Sequence, residues 1–191
     1  MYRFRAIILN ITRIRDNNTR IVMLTREYWK ITWWWSKKNI TGIDLWDVVE
    51  VLISRDENKN TIKNVDFVTS WWNKNWNYSQ IFSFLKTLHI INQISIDNHE
   101  CFQLFDDTYF LIRYGIKNVL NSDQYTIFQM RVLKSLWSMN PDILGNDPIL
   151  QYIYKNITHS PLERVLSANI KNNHINIIEQ ANLNSLYTLK Q

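Results

Sequence analysis

Residues 20–36, RIVMLTREYWKITWWWS, contain two runs rich in Ile, Val, Thr and Trp on either side of a short polar turn. Such runs are typical of paired β-strands, because β-branched and aromatic side chains pack well on a pleated surface. Three further runs of this kind lie nearby, so the N-terminal part of the chain is predicted to be a sheet. The predicted strands are 2–12, 20–26, 30–36, 45–55 and 61–69.

The spacing of the apolar residues becomes helical after residue 70. The predicted helices are 79–94, 101–115, 122–137, 160–171 and 175–189. Gly115 is expected to end the second helix, and Ser122 is the predicted N-cap of the third. In the fourth, Ser160 and Glu163 have the spacing of a capping box, with Pro161 at the first helical position.

Strands followed by helices predict an α+β protein of two domains. Five short strands broken by polar turns are typical of a small antiparallel barrel, and five is the strand count of an OB-fold. The predicted domains are an OB-fold nucleic-acid-binding barrel over residues 1–72 and an α-helical domain over residues 78–191.

The composition narrows the class of protein. A single cysteine in 191 residues, Cys101, excludes an internal disulfide and a four-cysteine zinc site. No apolar run has the length of a membrane span, and the first residues are predicted to be a strand and not a signal peptide. The expected location is the cytoplasm, with no membrane partner.

Positive charge is concentrated at the N-terminal end. Residues 1–43 carry nine Lys and Arg against two acidic residues, whereas the other residues carry 13 basic and 15 acidic. A basic module beside a nearly neutral one indicates a polyanion partner, although a solvated basic surface is the simpler alternative. The predicted DNA-binding residues are Arg13, Arg15, Arg20, Arg26, Lys30, Lys37 and Lys38.

Residues suited to catalysis are not arranged in a recognisable pattern. The four histidines lack the spacing of metal ligands, and the chain has no glycine-rich phosphate loop. Asp106 and Asp107 are adjacent, and adjacent helical residues do not face each other, so both are expected on a solvated surface. The sequence therefore predicts no enzyme, no catalytic residue, no metal and no cofactor.

Three segments carry a family pattern: RIVMLTREYWKI (20–31), DLWDVVEV (44–51) and LKSLWSMNPDIL (133–144). In these segments, and in SPLERVLSANIK (160–171), the chain resembles the RecO family of recombination mediator proteins. The resemblance covers most of the chain in the family's order. Many members also carry two Cys-x-x-Cys pairs, but residues 142–159 contain no cysteine, so no zinc module is expected.

The resemblance implies a recombinational DNA-repair mediator associated with the nucleoid. Such a protein would bind single- and double-stranded DNA, anneal strands coated with single-strand-binding protein (SSB), and help RecR load RecA, an indirect partner. Two alternatives remain open. One is a non-catalytic protein-interaction scaffold with an OB-fold, and the other is a nucleic-acid enzyme with an unrecognised site.

The resemblance also implies that the helical domain receives the acidic C-terminal tail of SSB. Such a tail needs an apolar slot with cations at its rim, because it ends in a hydrophobic residue with a free carboxylate. Arg131 and Lys134 are one helical turn apart and can project together. The predicted tail-binding residues are Phe128, Arg131, Leu133, Lys134 and Leu136. The alternative is that the apolar residues are core and the two cations are solvated.

Nine tryptophans and only three glycines are an unusual pair of counts. Trp29 and Trp137 align with glycines of the family, at a hairpin turn and at a helix C-cap, where glycine is favoured. One hypothesis is that UGA codons of the source are read as glycine. The alternatives are nine genuine tryptophans in structural roles, or a base-stacking platform at Trp33–Trp35. The positions in question are Trp29, Trp33, Trp34, Trp35, Trp46 and Trp137.

Overall fold

A computed structural model of the chain describes residues 1–13, 18–36, 42–56, 59–71, 76–94, 102–135, 139 and 141–188. These residues form an α+β protein in which a five-stranded antiparallel sheet precedes the helices, which confirms the predicted class. The strands are β1 (Tyr2–Arg13), β2 (Asn18–Thr25), β3 (Trp29–Ser36), β4 (Val48–Asp56) and β5 (Lys59–Thr69).

The long first strand lies at the centre of the sheet, whose order is β3-β2-β1-β4-β5. Residues 2–7 of β1 pair with β4, and residues 6–13 pair with β2. The register with β2 shifts between Ile8 and Asn10, so Leu9 is an extra residue of a β-bulge. A bulge bends and twists its strand, which lets one strand serve two neighbours whose directions differ. No ladder joins β3 to β5 within the described ranges, so a closed barrel is not shown.

Alternate side chains of the sheet build its core. Because successive strand residues point to opposite faces, the even positions of β1 and their partners on β2 and β4 meet on one side. This core cluster consists of Phe4, Ala6, Ile8, Ile21, Met23, Val49, Val51 and Ile53. Each fully buried aliphatic side chain contributes about 1.5–3 kcal/mol of transfer free energy.

The compact units of the chain differ from the two consecutive domains expected from the sequence. Met1–Asn75 and Ser95–Asn118 form one unit, and Trp76–Ile94 and Val119–Gln191 form the other. The first unit therefore contains the sheet and one helix, α2 (Phe102–Lys117). A pattern along the sequence cannot show this grouping, because α2 joins the sheet through residues far apart in the chain. Gly115 does not end α2, which continues to Lys117.

The second unit contains the remaining helices. They are α1 (Tyr78–Ile94), α3 (Ser122–Ser135), α4 (Pro148–His159), α5 (Leu162–Leu166) and α6 (Asn172–Thr188). A 3₁₀ turn at Pro141–Leu144 precedes α4. Among the described helices, none is long and apolar enough to cross a membrane.

Two helices of this unit begin with a reciprocal asparagine–glutamine cap. The Asn121 side chain accepts a hydrogen bond from Gln124 N at 2.9 Å, and the Gln124 side chain accepts one from Asn121 N at 2.9 Å. Asn77 and Gln80 repeat the arrangement at the start of α1. Both pairs satisfy backbone donors that a helix start leaves open. The predicted cap Ser122 is therefore wrong by one residue.

The capping box predicted at Ser160 is also wrong. Ser160 ends α4, and its N–H donates to Asn156 O at 3.0 Å. Helix α4 was not among the predicted helices, although Asp147 accepts from Ile149 N at 2.8 Å and Pro148 occupies the first turn. An N-cap aspartate followed by proline was the available signal.

Helix α3 is buried on nearly all sides. It contacts α1, α4, α5 and α6, and the side chains of Phe128 and Leu133 have no solvent exposure. Asn182 donates to Thr126 O at 2.9 Å, and Gln129 donates to Thr87 Oγ1 at 3.1 Å. A helix that packs on every side is the core of its unit rather than a surface element.

Trp46 and Trp29, two of the tryptophans in question, have different backbone conformations. Trp46 has φ of 69°, the left-handed region that favours glycine, and its side chain is buried. The sequence placed Trp29 in the hairpin turn, and this is wrong. Trp29 begins β3 and pairs with Thr25, while the turn comprises residues 26–28. Trp137 lies outside the described residues.

Candidate nucleic-acid interface

The β2–β3 hairpin separates the consecutive tryptophans. Trp33 lies opposite Ile21 and packs against the core cluster, whereas Trp34 lies opposite Arg20 and is 61% exposed. Neighbouring residues of a strand must point to opposite faces. Trp33–Trp35 therefore cannot form one stacking platform, and that interpretation is wrong in its extended form. Of Trp33 and Trp34, it is Trp34 that offers an open aromatic surface.

Arg20 and Trp34 belong to a row of side chains that crosses three strands. Thr12 of β1 pairs with Arg20 of β2, and Arg20 pairs with Trp34 of β3. Thr32 and Lys30 follow on the same side of β3, opposite Val22 and Leu24. We call this side of β2 and β3 the hairpin face. It is defined by Arg20, Lys30, Thr32 and Trp34.

The cations predicted from the sequence do not all reach this face. Arg20 is exposed and Lys30 is half-buried on it, whereas Arg13 pairs with Thr19 on the other side of the sheet. Arg26 lies in the turn between β2 and β3, and its Nε is 3.0 Å from Asp106 Oδ1. Arg15, Lys37 and Lys38 lie outside the described residues.

Helix α2 and the sheet, within the first unit, enclose a groove of about 440 Å³. Arg3 lies in it 3.2 Å from Glu50, and Arg26 is paired with Asp106 of α2. Arg3 belongs to the basic N-terminal part of the sequence but was not predicted as a binding residue. Arg3 shares the groove with residues of α2, and the sequence does not show that α2 packs beside this part of the sheet.

An aromatic ring of α2 that lines this groove lies near two cations. The guanidinium carbons of Arg5 and Arg113 each lie 5.7 Å from the centroid of the Tyr109 ring. Arg5 also donates to Tyr109 Oη at 3.4 Å. Arg113 precedes its own helix end by one turn and reaches Tyr109 at the i, i+4 spacing. None of these three residues was predicted as part of a site.

The adjacent aspartates of α2 are in different environments. Asp106 is exposed and pairs with Arg26, whereas Asp107 is buried at 7% exposure. The expectation that both lie on a solvated surface is therefore wrong for Asp107. No three potential metal ligands among His, Cys, Asp and Glu come together in the described part of the chain.

Three of the residues predicted to bind a tail on α3 are buried inside the second unit. Phe128 and Leu133 are core residues without exposed surface, and Arg131 is 7% exposed. Arg131 Nη1 donates to Ile157 O at 2.9 Å and also to Ser160 O, the carbonyls at the end of α4. Lys134 is half-buried, and Leu136 lies outside the described residues. Tail binding at these positions stays a prediction.

An apolar groove with a cation does occur between α4 and α5. It has a volume of about 260 Å³, and its walls include Tyr152, Ile153, Val165 and Ile170. Arg164 also lines it, is exposed, and follows the α4 end that Arg131 caps. This groove combines apolar walls with a cation, and its lining residues belong to the second unit.

Buried ionisable groups occur away from both grooves. Burial raises the pKa of the Asp47 carboxyl, while a hydrogen bond from Asp44 N at 2.7 Å opposes that rise. Burial also raises the pKa of the Tyr125 and Tyr154 hydroxyls. These tyrosines stay neutral and serve as core residues of the second unit.

Comparison with known proteins adds no assignment to this geometry. A scan of the chain against models of protein families gives no match, and a search of curated proteins gives none. The functional conclusion consequently depends on the residues themselves.

Proposed function

We propose that the chain binds single-stranded nucleic acid on the hairpin face, as the DNA-binding part of a recombination mediator. The observation that carries the proposal is the pairing of exposed Trp34 with exposed Arg20 across β2 and β3. A base can stack on an indole while an adjacent guanidinium binds the phosphate. Strands 2 and 3 are also the surface that OB-folds use for oligonucleotides.

The proposal includes an OB-type barrel. A central β1 that is bulged and shared between β2 and β4 supports it, because a small barrel needs a bent strand common to both halves. The positive charge of residues 1–43 supports it independently. Annealing of SSB-coated strands and cooperation with RecR in RecA loading follow from the family resemblance alone and are proposed on that basis.

Fluorescence anisotropy of a labelled oligothymidylate tests the binding function. The wild-type chain is expected to bind, with an affinity that falls steeply as salt is raised, because bound counterions are released. A strand-annealing assay with SSB-coated strands then tests the mediator role. Failure to bind any oligonucleotide at low salt contradicts the binding function, whereas binding without annealing favours a simple nucleic-acid-binding protein.

For the SSB tail we propose the groove between α4 and α5. Its apolar walls can hold the terminal hydrophobic side chain, and Arg164 can bind the carboxylate through two parallel hydrogen bonds. A tail peptide should lose affinity in Arg164→Gln. If Arg164→Gln and the wild type bound the peptide with equal affinity, the proposal that the tail binds in this groove would be wrong.

A further inference from the structure

We infer that Arg5 and Arg113, the two cations beside the Tyr109 ring of the groove between the sheet and α2, hold a nucleic-acid backbone phosphate and form a second phosphate-binding site. The inference deepens the proposed function and depends on it for the identity of the ligand. It adds residues of α2, outside the basic N-terminal segment, to the binding surface.

The arrangement of charge at Tyr109 favours an anion. Two guanidiniums share one ring at 5.7 Å each, and neither Arg5 nor Arg113 has a carboxylate partner among the described residues. Each guanidinium carries a positive charge beside this ring, so an anion at the ring is attracted by both. The Tyr109 hydroxyl, already within reach of Arg5, can donate to a phosphate oxygen.

The other cations of the groove can be released to a phosphate at small cost. The Arg3–Glu50 and Arg26–Asp106 pairs are substantially exposed, and such pairs contribute about 0–1 kcal/mol. A phosphate that approaches Arg26 therefore competes with the Asp106 carboxylate, and the Glu27 carboxylate also lines the groove. These two ion pairs keep the Arg3 and Arg26 side chains in the groove, and a phosphate can still replace the carboxylates.

Arg5, at the groove, and the hairpin face lie on the same side of the sheet. Arg5 and Ile7 share one side of β1, Ile7 pairs with Leu24, and Leu24 pairs with Lys30 of the hairpin face. Arg5 and Thr12 are separated by roughly 23 Å at about 3.3 Å per strand residue. Ile7 and Leu24, which lie between the two sites, are buried, so a ligand that reaches both sites has to be long, as a single strand of nucleic acid is.

The test uses the full chain with Arg5 and Arg113 both changed to glutamine. The matched control, Lys155→Gln with Lys171→Gln, removes two charges from exposed positions of the second unit. Thermal unfolding should show that both double variants fold. Oligothymidylates are then titrated, some too short to reach beyond the hairpin face and others long enough to reach α2.

For long oligonucleotides the Arg5/Arg113 variant should bind several-fold more weakly than the control. The slope of log K against log salt should be shallower by about 0.7 for each phosphate that the variant no longer neutralises. For short oligonucleotides the two variants should be equal. Equal affinities and slopes at every length overturn the inference, and the proposed function then stands if Trp34→Ala still weakens binding.

Two further probes separate the inference from the proposed function. Inorganic tripolyphosphate, titrated by calorimetry, should bind the wild type more tightly than the Arg5/Arg113 variant. If DNA does not bind at all while tripolyphosphate binding depends on the pair, the anion site stands and the nucleic-acid function fails. If polyglutamate binding depends on the pair while DNA binding does not, the groove belongs to an acidic protein and the inference is overturned.

Discussion

Arg20 and Trp34 lie directly opposite each other on β2 and β3, on the side of the hairpin that faces away from the core cluster. Cross-strand partners have Cβ atoms about 5 Å apart, so one ligand can touch both side chains. The pair combines a charge for a phosphate with a surface for a base. Its register places it on β2 and β3, the strands that the proposed OB-type barrel would use for ligand contacts.

Arg20→Gln should weaken binding of all single-stranded sequences alike. A phosphate contact carries no base information, and its removal reduces the salt slope by about 0.7 for a single strand. Anisotropy at several salt concentrations, with poly-dT and mixed-sequence oligonucleotides, measures both effects. Arg164→Gln removes the same charge from the second unit and serves as the control. A sequence-selective decrease in affinity would contradict the phosphate role.

Arg131→Ala should destabilise the second unit. The substitution removes hydrogen bonds from a buried cation to Ile157 O and Ser160 O, and such bonds contribute about 1.5–3 kcal/mol. Urea denaturation measures the change in free energy of unfolding. Lys155→Ala, an exposed cation on α4, should change it by less than about 0.5 kcal/mol. Equal stabilities of the two variants would mean that Arg131 does not cap α4.

The positive φ of Trp46 predicts an inverted order of two substitutions. Both Trp46→Gly and Trp46→Ala lose the buried indole, so both should destabilise the protein. Glycine adopts φ of 69° without strain, whereas alanine does so at a cost of about 1–2 kcal/mol. The glycine variant should therefore be the more stable of the two. A more stable alanine variant would show that residue 46 does not adopt this conformation.

The same position bears on the recoding hypothesis. Mass spectrometry of the protein from its source compares the native mass with that of the written sequence. Each glycine in place of tryptophan lowers the mass by the difference between the two residues. We expect glycine at residue 46, because its backbone conformation favours glycine. A native mass equal to that of the written sequence ends the hypothesis.

Asp47 should make stability depend on pH. Its pKa is raised by burial, so the folded protein retains a proton that the unfolded chain releases. The corresponding stability is fully present below the unfolded pKa of about 4 and is lost as pH rises through the higher folded pKa. Urea denaturation at several pH values measures the free energy of unfolding. In Asp47→Asn, the decline of this free energy that Asp47 causes across this pH range should be absent. The exposed Asp66→Asn serves as the control, and a decline unchanged in Asp47→Asn would contradict the account.

The strands could be predicted because their local signals agree with the final fold. β-Branched and aromatic runs with polar turns indicated all five strands, and period-two alternation would also have separated Trp33 from Trp34. The exact caps could not be assigned, since Asn121 and Ser122 are both suitable N-cap residues and only the hydrogen bonds distinguish them.

The candidate site was harder to predict from the sequence than the strands were. Tyr109 is 104 residues from Arg5, its partner on β1, and no local pattern reports such a contact. Arg131 looked like a surface cation because helical spacing cannot show that neighbouring helices cover nearly all sides of α3. Long-range packing decided both cases.

The most direct test of the central claim is the affinity of Trp34→Ala for a labelled oligothymidylate at fixed salt. Loss of one stacked base should weaken binding by about 1–3 kcal/mol, close to tenfold per 1.4 kcal/mol. Tyr187→Ala, which removes a 70% exposed aromatic side chain from α6, should bind like the wild type. A folded Trp34→Ala protein whose affinity equals that of the wild type would contradict nucleic-acid binding on the hairpin face.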